Sequence, residues 1–263
     1  MKGFVSVGEA ARYLLDLNLQ EKGHPCACGQ PVPDCVFWKD LLPLVSAEQA
    51  VAGSELVRMR RFPSLLRSST QAAVAREYRP ILDALSDVYR RILECSGAEV
   101  VVDSSKNPSH ALLLSCSPDI EIHVLHVVRN PNDVVGSWGK KKGYLAVHPP
   151  RKVISWWWST NLLSEALKSH AKTYRLLRFE DFTEHPGTTL ADITADVMGS
   201  PQPLPFLSGS EATVHLQHVV SGNPDKMDSG KIKIGSPKKT SNGSRQLMVD
   251  MLTFPLQCRY HYL

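Results

Sequence analysis

"LHVVRNPNDVVGSWGKKKG", residues 125–143, decides the fold. An apolar, β-branched run ends on Arg129, and Asn130-Pro131 then turns the chain. Proline suits the first turn of a helix, where an N–H has no intrahelical partner. The spacing predicts a strand ending at Arg129 and a helix over 131–142. Ser137 follows Arg129 by eight residues, and three lysines close the segment. An arginine fork at a strand end, a hydroxyl and a helix N-terminus together suit a phosphate group. A structural alternative pairs Arg129 with Asp133 and leaves Ser137 as a small helix residue.

Two more stretches share this design. "AEVVVDSSK" (98–106) and "TYRLLRFEDF" (173–182) are short apolar runs that end in polar residues. Helical spacing follows each, over 107–115 and 186–198, and "VISWWWSTNLLSEALKSHAK" (153–172) is helical between the later two strands. Strand then helix, repeated, predicts an α/β fold: a parallel β-sheet flanked by helices, with its strands covered on both faces. Ligands of such sheets sit outside the carboxyl ends of the strands. That places Asp103-Ser104-Ser105-Lys106, Arg129 with Ser137, and Arg178-Phe179-Glu180-Asp181 around a crevice.

Residues 4–20 read as an amphipathic helix, and 35–95 as mainly helices, with Gly97 placed as a C-cap. From 200 to 243 the chain is rich in Pro, Gly, Ser, Lys and Asn, which predicts a long loop. A short helix is expected near 244–253. No internal repeat or low-complexity tract is evident, so residues 1–263 read as a single domain.

The bulk numbers set outer bounds. The hydrophobic fraction is 43% and the charged fraction 21%, which fits a folded globular chain. A formal net charge of +4 suits an anionic small ligand and is too weak for nucleic acid. No apolar run nears the roughly 20 residues that span a bilayer, and the N-terminus lacks a signal-peptide pattern, so a cytoplasmic protein is expected. "CACGQPVPDC" groups Cys26, Cys28 and Cys35 near His24. The CxC spacing departs from paired CxxC zinc motifs, which favours structural thiols or a disulfide over metal. Trp156, Trp157 and Trp158 cannot share one helix face, so at least one is expected in the core.

"VVRNPNDVVGSW" resembles the 3'-phosphate-binding segment of sulfotransferases that use 3'-phosphoadenosine 5'-phosphosulfate (PAPS). "VVDSSKNPSH", "YRLLRFEDFTEHPGTTL" and "HVVSGNPDKMDSGKIKI" resemble further segments of that family, the first being a strand-end motif of its bacterial branch. "VSVGE" and "CACGQPVPDCVFW" also look like family features. The resemblance implies a P-loop NTPase-like sulfotransferase fold, PAPS as co-substrate without a metal, and sulfonyl transfer to a hydroxyl or amine of a small-molecule or glycan acceptor. It assigns Arg129 and Ser137 to the 3'-phosphate and brings Arg178 to the nucleotide. Lys226 stands where the family places an arginine, and Gly230 and Lys231 would help close that loop. Asp103 is the candidate base and Lys106 the candidate cation on the leaving group. The structural alternative makes Asp103 a helix cap and Lys106 a solvated charge.

One departure is large. The family opens with a strand and a glycine-rich loop of the type "GxxRSGTTLL" that wraps the 5'-phosphosulfate. Here "KGFVSVGEA" follows Met1 directly, so that strand and loop are missing. A start-truncated chain is expected, with weak or no sulfonyl transfer, because the anion nest and its cation stabilise the reacting group. A non-catalytic, sulfotransferase-like nucleotide binder is the alternative.

Overall fold

The structure is a computed structural model that describes residues 3–58, 62–66, 68–141, 146–215, 217–222, 229–235 and 243–263. It is a mixed α/β protein, 53% helix and 14% strand, with small parallel sheets and no barrel. The chain gathers into two compact units: residues 1–122, 169–172 and 213–230 form the first, and 123–168, 173–212 and 231–263 the second.

In the first unit, β1 (Phe4–Gly8) pairs in parallel with β2 (Val100–Asp103). The helix expected over 4–20 therefore begins as a strand. Val5 and Val7 alternate with Ser6 and Gly8, and pairing with β2 outweighs the helical spacing. Gly8, at φ +72°, ends the strand, and a parallel bridge to Val220 places a further segment on its other side. An added Cβ on Gly8 would lie 2.4 Å from the Val220 carbonyl oxygen, so this approach requires glycine.

Helices α1 (Ala10–Leu15), α2 (Leu17–Glu21), α3 (Ala47–Leu56), α4 (Phe62–Leu65), α5 (Ser68–Glu77), α6 (Arg79–Ser96) and α7 (Pro108–Leu114) complete this unit. α6 buries Ile81, Leu82, Leu85, Val88 and Ile92 along one stripe and packs on β2, α3 and α7. It ends, as the sequence predicts, on Gly97 in the left-handed conformation.

In the second unit, β3 (His123–Val128) pairs in parallel with β4 (Thr173–Arg178). Around them stand α8 (Pro131–Trp138), α9 (Pro150–Ala166), α10 (Phe179–Glu184), α11 (Pro186–Met198) and α12 (Gly243–Arg259). Val128, Trp157, Leu256 and Tyr260 form one core cluster, and Val135, Val153, Ile154 and Val249 another. Trp157 is the core tryptophan of its triplet; Trp156 is exposed, under the Lys152 ammonium at 4.7 Å. α12 spans 17 residues, longer than the short helix expected, because Leu256 and Gln257 continue its buried stripe beyond residue 253.

The single flanked sheet of the sequence reading is replaced by two separate parallel pairs. Coverage on both faces is corrected too. His126 and Val128 are buried, whereas Leu125, Val127 and Leu176 are more than 40% exposed, the period of a half-covered sheet. The expected loop over 200–243 contains β5 (Leu207–Ser208), β6 (Glu211–Val214) and β7 (Gly230–Lys233), which form a small three-stranded sheet.

Candidate functional site

Polar side chains gather at the carboxyl ends of both parallel pairs. In the first unit the chain leaves β1 through Gly8 and sets Glu9 at its tip. Glu9 is 4% exposed. Its Oε1 accepts from Lys106 Nζ at 3.0 Å, and its Oε2 accepts from Arg12 Nη1 at 2.7 Å and Ser221 Oγ at 3.2 Å. A buried carboxylate survives only with such partners. Lys106 and Ser221 approach it from left-handed backbones, φ 57° and 56°, which non-glycine residues rarely adopt. The sequence reading quoted "VSVGE" but did not single out Glu9. The signal was a charge placed directly after a β-branched run and a glycine.

Asp103 lies beside this cluster with both oxygens engaged. Oδ2 accepts from Ala11 N–H at 2.8 Å and Tyr89 O–H at 2.7 Å; Oδ1 accepts from Ser105 N–H at 2.8 Å and Ser105 O–H at 2.5 Å. Ser105 Oγ in turn accepts from Arg12 N–H. The end of β2 therefore caps the start of α1. Burial pushes the Asp103 carboxyl up from its ordinary value, against those four hydrogen bonds. The geometry gives Asp103 a structural task, and the helix it caps is α1 rather than the one that follows it. Asn107 caps that one, α7, through Ser109 N–H at 2.9 Å.

A cavity of about 220 Å³ borders the cluster, lined among others by Arg12, Asp16, Arg58, Asn107 and His110. His110 is 5% exposed and its Nδ1 has no hydrogen-bond partner. Burial, then the nearby Arg12 guanidinium, lowers its pKa to about 4, so the ring is neutral near pH 7.

In the second unit, Arg129 leaves the end of β3 and Arg178 closes β4 opposite Val128. Glu180 Oε1 accepts from Asn130 N–H at 3.0 Å, and its Oε2 accepts from Tyr262 O–H at 2.7 Å, which staples the two strand ends to the C-terminal tail. Arg178 belongs to the same staple: Nη1 donates to the His261 carbonyl at 3.0 Å, and the guanidinium lies 4.7 Å from the Tyr262 ring centroid. That tail contact occupies the group the sequence reading aimed at a nucleotide.

Arg129 is placed differently. Its guanidinium lies 4.9 Å from the Phe179 ring centroid and, like that of Arg178, has a buried Nε without a hydrogen-bond partner. No ion pair with Asp133 forms. Its carbonyl accepts from Trp157 Nε1 at 3.0 Å, which fixes the backbone. Asn130 caps α8 through Asn132 N–H, and Ser137 sits half-buried near the end of that helix. Gly230, at φ 98°, and Lys231 lie exposed in β7. Lys226 lies outside the described residues.

The cysteine loop holds no disulfide; Cys26, Cys28 and Cys35 are free. The imidazole that joins them is His218, not the neighbouring His24. Compared with models of known protein families, with curated proteins and with solved structures, the chain finds no match.

Proposed function

We propose that the chain binds 3'-phosphoadenosine 5'-phosphosulfate and, weakly in the absence of the glycine-rich loop, transfers its sulfonyl group to a hydroxyl or amine acceptor, as a member of the P-loop NTPase-like sulfotransferase fold. The observation that carries this reading is Arg129. A guanidinium at the end of a parallel strand, stacked on an aromatic ring and with a buried N–H left without an acceptor, is poised for an anion. Arg129 and Ser137 grip the 3'-phosphate. Arg178 and Glu180 brace the strand ends.

In the reaction, the acceptor oxygen or nitrogen attacks sulfur and a new bond to sulfur forms. The bond from sulfur to the bridging phosphate oxygen breaks, and adenosine 3',5'-bisphosphate leaves with that electron pair. The acceptor's proton goes to a carboxylate. Of Glu9 and Asp103 in the first unit, Glu9 has the more mobile partners. Its cationic partners Lys106 and Arg12 are 58% and 48% exposed and free to swing away, whereas Asp103 is fixed on main-chain and buried groups.

Calorimetric titration with adenosine 3',5'-bisphosphate tests the reading. Wild type binds it more tightly than adenosine 5'-monophosphate, and Arg129→Ala weakens binding by roughly 30-fold, the loss of about 2 kcal/mol of charged hydrogen bonds. No binding, or equal binding by the variant, overturns the proposal. Binding without turnover identifies the non-catalytic alternative.

A further inference from the structure

We propose that Cys26, Cys28, Cys35 and His218 form a structural zinc site that, within the first unit, pins the segment carrying Ser221 to the cysteine loop. Four ligand atoms, three sulfurs and one imidazole nitrogen, lie within 4.8 Å of one another. Cys35 Sγ is 3.7 Å from Cys28 Sγ, 3.7 Å from Cys26 Sγ and 3.2 Å from His218 Nδ1. A tetrahedral zinc ion with Zn–S bonds of about 2.3 Å sets its sulfurs about 3.8 Å apart, and its sulfur and nitrogen about 3.5 Å apart. A disulfide would need about 2.05 Å. The three spacings from Cys35 lie close to those of the metal tetrahedron, and the remaining pairs fall within 4.8 Å.

The donor set points the same way. Three thiolates and one neutral imidazole are soft to borderline ligands, and a closed Cys3His set is a structural zinc arrangement. Cys26 and Cys35 are buried and Cys28 half-buried, so the ion would be shielded from water. Zinc would displace the three thiol protons on binding.

The surroundings hold the ligands in place before any ion arrives. Gly29, at φ 88°, turns the Cys26–Gln30 loop, closed by Cys26 N–H to the Gln30 carbonyl at 2.9 Å. Trp38 Nε1 donates to the His218 carbonyl at 2.7 Å, and the Phe37 ring stacks on the imidazole at 5.1 Å and 3°. Partners that orient the ligands belong to a metal site as much as the ligands do.

The site also has a consequence two residues downstream. Ala27 N–H donates to the Val219 carbonyl, Val220 bridges Gly8, and Ser221 bonds Glu9. An ion bound by the cysteine loop and His218 would fasten that strand-like segment against β1. The inference rests on this geometry alone and stands whether or not the chain transfers sulfonyl groups.

The test uses the full chain, purified under reducing conditions without chelator. Elemental analysis finds one zinc per chain. Cobalt(II) added to the zinc-depleted protein gives thiolate charge-transfer absorption with tetrahedral visible bands. Cys35→Ser and His218→Ala lose the zinc and the absorption, while Cys258→Ser keeps both. His218→Cys restores a four-ligand set, retains zinc and shifts the cobalt spectrum, which separates ligand loss from misfolding. Metal-free wild type with no cobalt thiolate absorption overturns the proposal, and so does unchanged zinc in both Cys35→Ser and His218→Ala.

Discussion

Lys106 reaches Glu9 from a left-handed backbone: its φ is 57°, and Nζ stands 3.0 Å from Glu9 Oε1. A side chain held in that region costs about 1 kcal/mol relative to glycine. The ion pair gives little back, since the Lys106 side chain is 58% exposed. Lys106→Gly and Lys106→Ala both lose the pair and differ in the Cβ. Urea denaturation should rank the glycine variant about 1 kcal/mol above the alanine variant. Equal midpoints would mean that the left-handed conformation is not kept in solution.

Asp103→Ala is expected to lower stability by roughly 3 kcal/mol, because it leaves the Tyr89 hydroxyl and the Ala11 and Ser105 N–H groups without their acceptor. Asp103→Asn keeps one acceptor oxygen and should lose less. Chemical denaturation measures both. Nucleotide affinity, measured on the folded variants, should stay at the wild-type level. A large affinity loss with intact stability would return Asp103 to the catalytic machinery.

His110 makes the fold sensitive to acid. Its pKa falls from an ordinary 6.5 to about 4 on folding. The unfolded chain therefore takes up a proton below about 6.5, and the folded chain does so only near 4. This contribution to stability is complete above pH 6.5 and fades as pH drops toward 4. The drop between pH 7 and pH 5 amounts to roughly 2 kcal/mol. In His110→Leu that part of the drop should vanish. Urea midpoints of the two proteins at pH 7 and pH 5 decide it, and parallel losses would show that His110 is protonated or solvated in the folded chain.

Phe179 carries the Arg129 guanidinium on its ring face. If that stack holds the fork in place for a phosphate, Phe179→Leu should weaken adenosine 3',5'-bisphosphate binding by about fivefold, equivalent to about 1 kcal/mol. Titration of the variant reads this directly. Unchanged affinity would detach the ring from the anion site.

The strand-to-helix turns were legible because they are local. Asn130-Pro131 punctuates the chain whatever lies around it, and Gly97 ends α6 by backbone geometry alone. Residues 4–8 misled because five residues carry too little period to separate strand from helix, and their partner β2 lies 96 positions onward. The fates of the two arginines could not be read either. Arg129 and Arg178 occupy like places at paired strand ends and each keeps a buried Nε without a partner, yet only Arg178 donates to the C-terminal tail, through Nη1. The cysteine–histidine cluster was half visible: the cysteines lie together in sequence, but His218 stands 183 residues from Cys35. Glu9 was hidden likewise, because its burial depends on Lys106 and Ser221, which only the fold delivers.

The bond between Ser221 and Glu9 joins positions 212 residues apart. At ribosomal rates of about 5–20 residues per second, roughly 10–40 s separate the making of the two. Throughout that interval the first strand has β2 to pair with but waits for its other neighbour, its flank unclaimed and its acidic tip only partly neutralised. Completion of this corner therefore waits for the synthesis of Ser221, and release of the nascent chain before that point would leave it unfinished.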